Sequence, residues 1–450
     1  MNSDKGQDQG IRGRRFEALG WLVVLVAFFV RMGVVRHAVP AARIFHDTKL
    51  YFSASQNGFF SRGIWAGDRS PVPLLLFKSC HDDPELIRNV SLALSVLGWL
   101  SLAVAVARAL RSPVLRLVGA FLVLWLASSR EVAQWNDAML SESLSFSSAA
   151  FFLASALSFS ERPRRWFAPL VLSATVFALC RDSNAYLVLM LGLLILAWVV
   201  YRKLRARVLA PWHALAGLAF VALFGLSNVS TNIGGRWQYP LMNVMVWRVL
   251  PDPILREQFV ELGMPTEGVR AGRPRRSYDN DKRLESWRNW LEQNGKHAYE
   301  RYLLGHPRYF LGTPLRDSFT LLGESLDGYE PKGFASAWPW RFDWLWLRSL
   351  WWLRLASLPV LCGGLAFLLR RGRRAPSALA AIGAVLTVLL CPHALVVWHG
   401  DAMEVVRHGL PVAFQLQLAM SCLLLALGDA ILELRSTGRG RERVQPIAGD

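Results

Sequence analysis

Long apolar stretches recur along the chain and are separated by shorter segments rich in charged residues. Runs such as WLVVLVAFFV and AYLVLMLGLLILAWVV are continuously apolar, without the alternation that membrane-spanning strands show. A helix of about 20 such residues crosses a hydrocarbon core about 30 Å thick. The pattern predicts apolar helices over residues 18–35, 86–110, 114–128, 138–159, 167–180, 185–201, 214–229, 347–369, 377–398 and 409–432. We therefore expect an all-α polytopic membrane protein with about ten transmembrane helices.

Two long segments, residues 37–85 and 230–346, interrupt this series. The first contains IFHDTKLYFSASQNGFFSRGIW, in which apolar and aromatic residues recur at helical spacing. The second contains LESWRNWLEQNGKHAYERYLLGHPRYFLGTPL, which repeats Trp, Leu and Tyr every three or four residues. Both patterns are typical of short amphipathic helices that lie at the membrane surface and break at Gly and Pro.

The distribution of charge predicts how these helices are oriented. The chain has 51 Lys and Arg against 33 Asp and Glu, a formal net charge of +18. Basic runs such as RALRSPVLR, ERPRR, YRKLRAR and RRGRR lie in alternate connections, which is the positive-inside pattern. Membrane topology thus explains the excess charge, and no nucleic-acid partner is expected. Both termini are expected in the cytoplasm of a bacterium, with the protein in the inner or plasma membrane.

The resulting organisation has five parts. A basic cytoplasmic N-terminus (residues 1–17) precedes an N-terminal transmembrane bundle (18–229) that includes the extracytoplasmic loop 37–85. A large extracytoplasmic loop (230–346), C-terminal transmembrane helices (347–433) and a basic cytoplasmic tail (434–450) follow. The five cysteines have no spacing typical of a disulfide framework or a zinc site.

Unusual polar residues fall in the connections that the charge pattern places outside. Two patches lie in the first outer loop, and three later outer connections each add charged residues beside an apolar stretch. These residues are His46, Asp47, Asp68, Arg69, Asn136, Asp137, Glu142, Arg181, Asp182, Asp401, Glu404, Arg407 and His408. Charged side chains from four outer connections are therefore expected to collect on the extracytoplasmic side.

Two of these residues are expected at membrane depth. Glu142 lies about one turn inside its predicted helix, where an unpaired ionised carboxylate costs several kcal/mol. It is therefore expected to face a partner or water. Arg181 is one of the two cations nearest the membrane on this side, and a guanidinium suits the phosphate or diphosphate of a lipid headgroup.

The last outer connection, HGDAMEVVRHG, holds the other such cation, Arg407. Asp401, Glu404 and His408 are spaced i, i+3 and i+7, which predicts that they line one face at the start of the last helix. Acidic groups suit a helix N-terminus. The neighbouring histidines, at positions 393 and 399, are interpreted as ordinary interfacial residues.

Each candidate also has a purely structural explanation. Asp47 could be a solvated loop acid, and Asp68 could cap a turn before the prolines. Glu142 and Arg181 could form an ion pair between two helices. The charged residues of the last connection could be interfacial side chains that extend toward water.

The order of these motifs resembles that of a known superfamily. The chain contains FHDTKLY, GDRSPVP, MLSESLS, CRDSN and EVVRHGLP, with a long outer loop before the final helices. This layout is similar to the GT-C superfamily of membrane glycosyltransferases, especially the bacterial relatives of protein mannosyltransferases that use polyprenyl-phosphate sugars. The resemblance covers most of the chain.

The resemblance implies roles for individual residues. Asp47, with Asp68 as a second catalytic candidate, would act as general base on an acceptor hydroxyl, and the sugar would transfer with inversion. The donor phosphate would be bound by Arg181, Arg407 and His408. Supporting roles fall to His46, Arg69, Glu142, Asp182, Asp401 and Glu404. Related enzymes often have two adjacent acids in the first loop, whereas here His46 precedes a single Asp47, so a divalent cation stays open as a cofactor and no metal ligand is assigned.

The expected partners are a polyprenyl-phosphate-linked sugar, membrane lipid, and an extracytoplasmic glycan, lipid or protein acceptor. Two other functions would also collect charges in such a protein. One is an outer-face ligase or polymerase that joins glycans from a polyprenyl-diphosphate oligosaccharide. The other is a flippase or transporter of lipid-linked sugars, although transporters commonly place ionisable groups near the bilayer midplane on broken helices.

Overall fold

The computed structural model describes residues 3–39, 41–206, 210–266, 285–324, 326, 329, 350–372 and 377–442. Within these ranges the backbone is almost entirely helical. The β-type pairing found there is an isolated bridge between Arg43 and Ala138. The predicted all-α class is therefore confirmed for the described residues.

The helices within the described ranges have the following bounds. In chain order they are α1 (Ser3–Ala38), α2 (His46–Ser55), α3 (Arg62–Trp65), α4 (Pro71–Ser79), α5 (Pro84–Ala109), α6 (Pro113–Ala127), α7 (Arg130–Ala133), α8 (Glu142–Glu161), α9 (Pro163–Ala178), α10 (Asp182–Ala206), α11 (Pro211–Ile233), α12 (Gln238–Val244), α13 (Pro253–Glu261), α14 (Glu285–Trp290), α15 (Lys296–Gly305), α16 (Pro307–Arg316), α17 (Ser318–Leu322), α18 (Trp351–Gly372), α19 (Ala378–Gly400) and α20 (Val405–Glu442). A 3₁₀ turn (Gln134–Asp137) follows α7, and π-helical segments follow α12 (Met245–Val249) and α14 (Leu291–Gly295).

Eight helices in the described part of the chain are long and apolar enough to cross a membrane: α1, α5, α8, α10, α11, α18, α19 and α20. The protein is therefore an integral membrane protein. A ninth crossing is formed if α6 and the following segment Arg130–Asp137, bent by 49°, count as one span. The predicted helix 167–180 corresponds to α9, whose 16 residues extend about 24 Å, less than a typical hydrocarbon core. The total of ten crossings stays a prediction.

Proline begins several of the apolar helices. Pro84, Pro113, Pro163 and Pro211 are the first residues of α5, α6, α9 and α11. Proline suits this position because its fixed φ matches the helix and because the first N–H groups have no acceptor within the helix. At α5, the Asp83 carboxylate also accepts from the N–H groups of the next turn.

The helices α8 and α20 lie at the centre of the bundle. A larger fraction of their residues is buried than in any other candidate membrane span of the described ranges. Phe414 of α20 packs edge-on against Phe146 of α8 and Trp99 of α5. Gln415 of α20 bonds His393 of α19 at 2.7 Å. Because these helices are packed together, the polar residues at their N-termini lie within reach of one another.

The two long connections also contain helices. The segment between α1 and α5 forms α2, α3 and α4, and the described part of the segment between α11 and α18 forms α12 to α17. In the larger segment, Phe259, Tyr299 and Tyr302 share a core of their own. The Tyr299 hydroxyl lies 3.0 Å from Nδ1 of His399 at the end of α19. His393 and His399 are thus buried within the protein and hydrogen-bonded, and their interpretation as interfacial histidines stays a prediction.

Candidate functional site

Four helix N-termini meet at one end of the bundle. Asp47 is the second residue of α2, Glu142 is the first of α8, Arg181 directly precedes α10, and Arg407 lies in the first turn of α20. Each N-terminus carries unpaired N–H groups and a partial positive charge, so negative groups are favoured there. Side-chain contacts join all four, and together they form the cluster described below.

Arg407 is the centre of this cluster and is only 9% exposed. Its Nε donates to Glu142 Oε1 at 2.8 Å, and its Nη1 donates to Glu404 Oε2 at 2.8 Å. Its Nη2 lies 3.6 Å from Asp47 Oδ2, an ionic contact longer than a hydrogen bond. One guanidinium therefore contacts carboxylates from α2, from α8 and from the residue that precedes α20.

Glu142 is the buried acid of the cluster, with 1% of its side chain exposed. Besides Arg407, it contacts Arg181, whose Nη1 lies 3.3 Å from Glu142 Oε1. The other oxygen, Oε2, is buried without a hydrogen-bond partner, and so is Arg181 Nη1. Buried polar atoms usually have partners, so these two atoms leave the cluster incompletely hydrogen-bonded.

Asp47 is the most exposed acid of the cluster, with 36% of its side chain exposed. Its Oδ1 lies 3.8 Å from Arg69 Nη2, so the carboxylate lies between Arg69 and Arg407. The next residue holds α2 in place, because the Thr48 hydroxyl donates to the carbonyl of Met139 just before α8. Neither arginine contact is short enough to be a hydrogen bond, which leaves the carboxylate oxygens open to another donor.

His408 and Asp401 extend the cluster on the other side of Arg181. His408 Nδ1 lies 3.5 Å from Arg181 Nη2, and His408 Nε2 lies 3.8 Å from Asp401 Oδ2. Asp401 also accepts from Asn243 Nδ2 at 3.0 Å. Burial raises the pKa of Asp401 to about 6, although its hydrogen bonds oppose that shift.

Two backbone expectations at this site are wrong. The predicted helix 138–159 begins four residues later, because Arg43 pairs with the backbone around Ala138 and holds that segment out of the helix. Glu142 is therefore the first helical residue and does not lie a turn inside. Asp401 and Glu404 also precede α20, so they do not share a helical face with His408. Asp401 is extended, and Glu404 adopts a left-handed φ of 57°.

Other predicted residues lie apart from the cluster. Asp182 faces away from it and binds Arg236 through both carboxylate oxygens at 3.1 Å. Asp137 is buried and pairs with Arg88, a contact that joins the segment before α8 to α5. Asn136 accepts from the Ser143 hydroxyl. Asp182, Asp137 and Asn136 therefore form contacts that join parts of the fold, and none of these contacts is with the cluster.

The remaining first-loop candidates are exposed. Asp68 forms no hydrogen bond or ion pair within the described part of the chain, although its neighbour Arg69 reaches Asp47. His46 is exposed at the start of α2. The roles assigned to Asp68 and His46 stay predictions.

Sequence reasoning missed Tyr329. Its hydroxyl donates to Glu404 Oε1 at 2.7 Å, and its ring lies over the Arg407 guanidinium at 5.9 Å. Its carbonyl accepts from Arg43. Burial and the Glu404 carboxylate raise the pKa of Tyr329. No local pattern around Tyr329 distinguishes it from other aromatic residues of the large loop.

An apolar cavity begins about one helical turn below the cluster. It has a volume of about 240 Å³ and lies among α8, α9, α10, α11, α19 and α20. Its polar lining includes Ser145, Asn184 and Gln415, and the first two lie three residues after Glu142 and Arg181. A wider groove of about 700 Å³ lies on another face of α8, against α5 and α9. Both cavities are lined mainly by apolar side chains.

No group of three His, Cys, Asp or Glu side chains within the described ranges is arranged to hold a metal ion. Asp47 is surrounded by arginines, so the residues around it do not fit a cation site. No protein-family model matches the chain, and neither a curated protein nor a solved structure is similar enough to identify a relative.

Proposed function

We propose that the protein is a glycosyltransferase that moves a sugar from a polyprenyl-phosphate donor to the hydroxyl of an extracytoplasmic acceptor. One observation carries the proposal. The partly exposed carboxylate of Asp47 lies between Arg69 and Arg407, where four helix N-termini meet, and an apolar cavity begins one turn deeper. An acid that can take a proton, cations that can hold a phosphate, and space for a lipid chain are thus adjacent.

The phosphate half of the proposal rests on Arg181 and Arg407. Both precede or begin helices that line the apolar cavity, so a phosphate bound at the cluster would have its lipid chain directed along these helices. Helix N-termini add partial positive charge to the two guanidinium groups. A planar guanidinium also matches the geometry of two phosphate oxygens.

The proton-transfer half rests on Asp47. In the proposed reaction, its carboxylate accepts the proton of the acceptor hydroxyl while that oxygen bonds to the anomeric carbon of the sugar. The bond from this carbon to the phosphate oxygen breaks on the opposite face, and the phosphate leaves with the electron pair. The configuration at the anomeric carbon is therefore inverted. The arginines stabilise the charge that develops on the departing phosphate.

The charge of the cluster supports a monophosphate donor over a diphosphate one. Three carboxylates, Asp47, Glu142 and Glu404, oppose the three guanidinium groups of Arg69, Arg181 and Arg407. The carboxylates equal the guanidinium groups in number, so the cluster has no surplus positive charge for a second phosphate. Asp47, Glu142, Arg181 and Arg407 lie at helix N-termini and not on broken helices, which supports transfer over transport.

The test uses purified protein in nanodiscs and a panel of radiolabelled polyprenyl-phosphate monosaccharides, with and without a chelator of divalent cations. Release of the lipid phosphate is followed for the wild type, Asp47→Asn and Asp68→Asn. Glu300→Gln serves as a control, because this side chain is 54% exposed and pairs with the exposed His297 at 3.6 Å, away from the cluster. We expect release that requires Asp47.

Release that Asp68→Asn abolishes, with Asp47→Asn active, would move the base to Asp68. Absence of release with every monophosphate donor, from folded protein, would reject the proposed donor. Activity with a polyprenyl-diphosphate oligosaccharide would then identify the ligase or polymerase function.

A further inference from the structure

The contacts of Arg407 leave no free edge for a phosphate to bind through two oxygens. Its Nε is engaged by Glu142, so the remaining edge is the one formed by Nη1 and Nη2. Glu404 accepts a hydrogen bond from Nη1 at 2.8 Å, and Asp47 lies 3.6 Å from Nη2. A phosphate that uses both nitrogens must therefore displace a carboxylate.

We propose that Glu404 is that carboxylate, so that it occupies the phosphate subsite on Arg407 and leaves when the donor lipid binds. This inference rests on the proposed function, because it names how the same site accepts its phosphate. Glu404 then acts as an exchangeable anion that neutralises Arg407 in the absence of donor and sets the affinity for it.

Glu142 does not fit this role. It is 1% exposed and contacts both Arg407 and Arg181. Withdrawing its partner would leave an ionised carboxylate inside the bundle, which is strongly unfavourable. Glu142 is therefore the permanent partner that fixes the orientation of Arg407.

Asp47 does not need to move. Its distance of 3.6 Å from Nη2 exceeds that of a hydrogen bond, so a phosphate oxygen that binds this nitrogen breaks none. Asp47 also retains its contact with Arg69 at 3.8 Å. It can stay beside the phosphate as the acid that takes the acceptor proton.

Glu404 has what an exchangeable partner requires. Its side chain is 29% exposed, so the carboxylate can turn toward water at little cost. Its other oxygen accepts from the Tyr329 hydroxyl at 2.7 Å, so the carboxylate keeps one hydrogen bond when its bond to Arg407 breaks. Its backbone has a φ of 57°, which a residue other than Gly or Asn rarely adopts. Such a conformation at a binding site often accompanies function.

The experiment measures binding of farnesyl phosphate, with uncharged farnesol as the reference, by titration calorimetry on the full chain in detergent. The variants are Glu404→Gln, which keeps the shape and an acceptor for Tyr329, and Glu404→Asp, which keeps the charge on a shorter side chain. Glu300→Gln controls for the loss of one surface carboxylate. We expect Glu404→Gln to bind farnesyl phosphate about tenfold more tightly than the wild type, with farnesol binding unchanged.

Glu404→Asp is expected to tighten binding as well, because the shorter carboxylate cannot keep both of its contacts. Equal or weaker binding by Glu404→Gln, with clear binding by the wild type, would overturn the inference and show that Glu404 orients Arg407. That outcome leaves the proposed function standing. Farnesyl phosphate that binds no better than farnesol to the wild type and to both variants would overturn the phosphate-lipid function itself, and the inference with it.

Discussion

Loss of the Glu142 carboxylate is expected to cost the fold more than any other single change in the cluster. The carboxylate is 1% exposed and lies 2.8 Å from Arg407 Nε and 3.3 Å from Arg181 Nη1. Breaking a buried ion pair by removing one partner costs about 3–5 kcal/mol, because the remaining charge has no compensation. Glutamine keeps the shape and one acceptor oxygen. We therefore expect Glu142→Gln to lower the free energy of unfolding by about 3 kcal/mol.

The assay is unfolding of the purified protein in mixed micelles of rising SDS content, followed by far-UV circular dichroism. The matched control is Glu300→Gln, the same substitution at a side chain that is 54% exposed and lies 3.6 Å from His297. Its free energy of unfolding is expected to change by less than about 0.5 kcal/mol.

A double-mutant cycle tests the cause of the loss. Arg181→Met removes one of the two cations that face Glu142, so the double variant Glu142→Gln/Arg181→Met should be more stable than the sum of the single changes predicts. Equal effects of Glu142→Gln and Glu300→Gln would refute the reasoning. Strict additivity of the Glu142 and Arg181 changes would also refute it, because the two side chains would then not compensate each other.

Three further predictions separate catalysis, binding and stability. Asp47→Asn should lower turnover about 10²–10⁴-fold, as expected for loss of a general base, while its unfolding in SDS stays within about 1 kcal/mol of the wild type. Arg407→Lys should weaken binding of farnesyl phosphate, measured by calorimetry, because an ammonium lacks the two-nitrogen edge. The pKa of Asp401 is raised to about 6, so its ionised form lowers the free energy of unfolding above pH 6. The free energy of unfolding recovers as the pH falls toward 4, because the carboxyl is then protonated in the folded protein. Asp401→Asn should therefore unfold with a free energy up to about 3 kcal/mol higher than the wild type at pH 7, a difference that shrinks between pH 6 and pH 4.

The apolar pattern located the helices because each one is a continuous run bounded by proline or charge. The stretch predicted over 114–128 is observed as Pro113–Ala127, and that over 377–398 is observed as Ala378–Gly400. The start of α8 could not be found in this way. Residues 138–141 are as apolar as those that follow, and pairing with Arg43, distant in sequence, keeps them out of the helix.

The cluster itself was predicted only in part. Asp47, Glu142, Arg181 and Arg407 stand out as charged residues beside apolar runs, and the structure brings them together. Asp182 is also a charged residue beside an apolar run, but it binds Arg236 and not the cluster. Arg236 lies in a loop, and no apolar pattern predicts its position. Tyr329 was missed for the same reason. Contacts made by loop residues depend on how the loop returns to the bundle, and hydrophobic periodicity carries no information on that path.

The residues of the cluster differ in function according to how exposed their side chains are, more than according to residue type. Glu142 and Arg407 are enclosed and bonded to each other, so neither can leave its partner without a large penalty. Asp47 and Glu404 carry the same charge as Glu142 but reach solvent, and they face the Nη1–Nη2 edge of Arg407. An incoming anion can therefore meet Arg407 only on the side of Asp47 and Glu404. Proton transfer and anion exchange belong to these two residues, whereas Glu142 keeps the guanidinium in the position that both processes need.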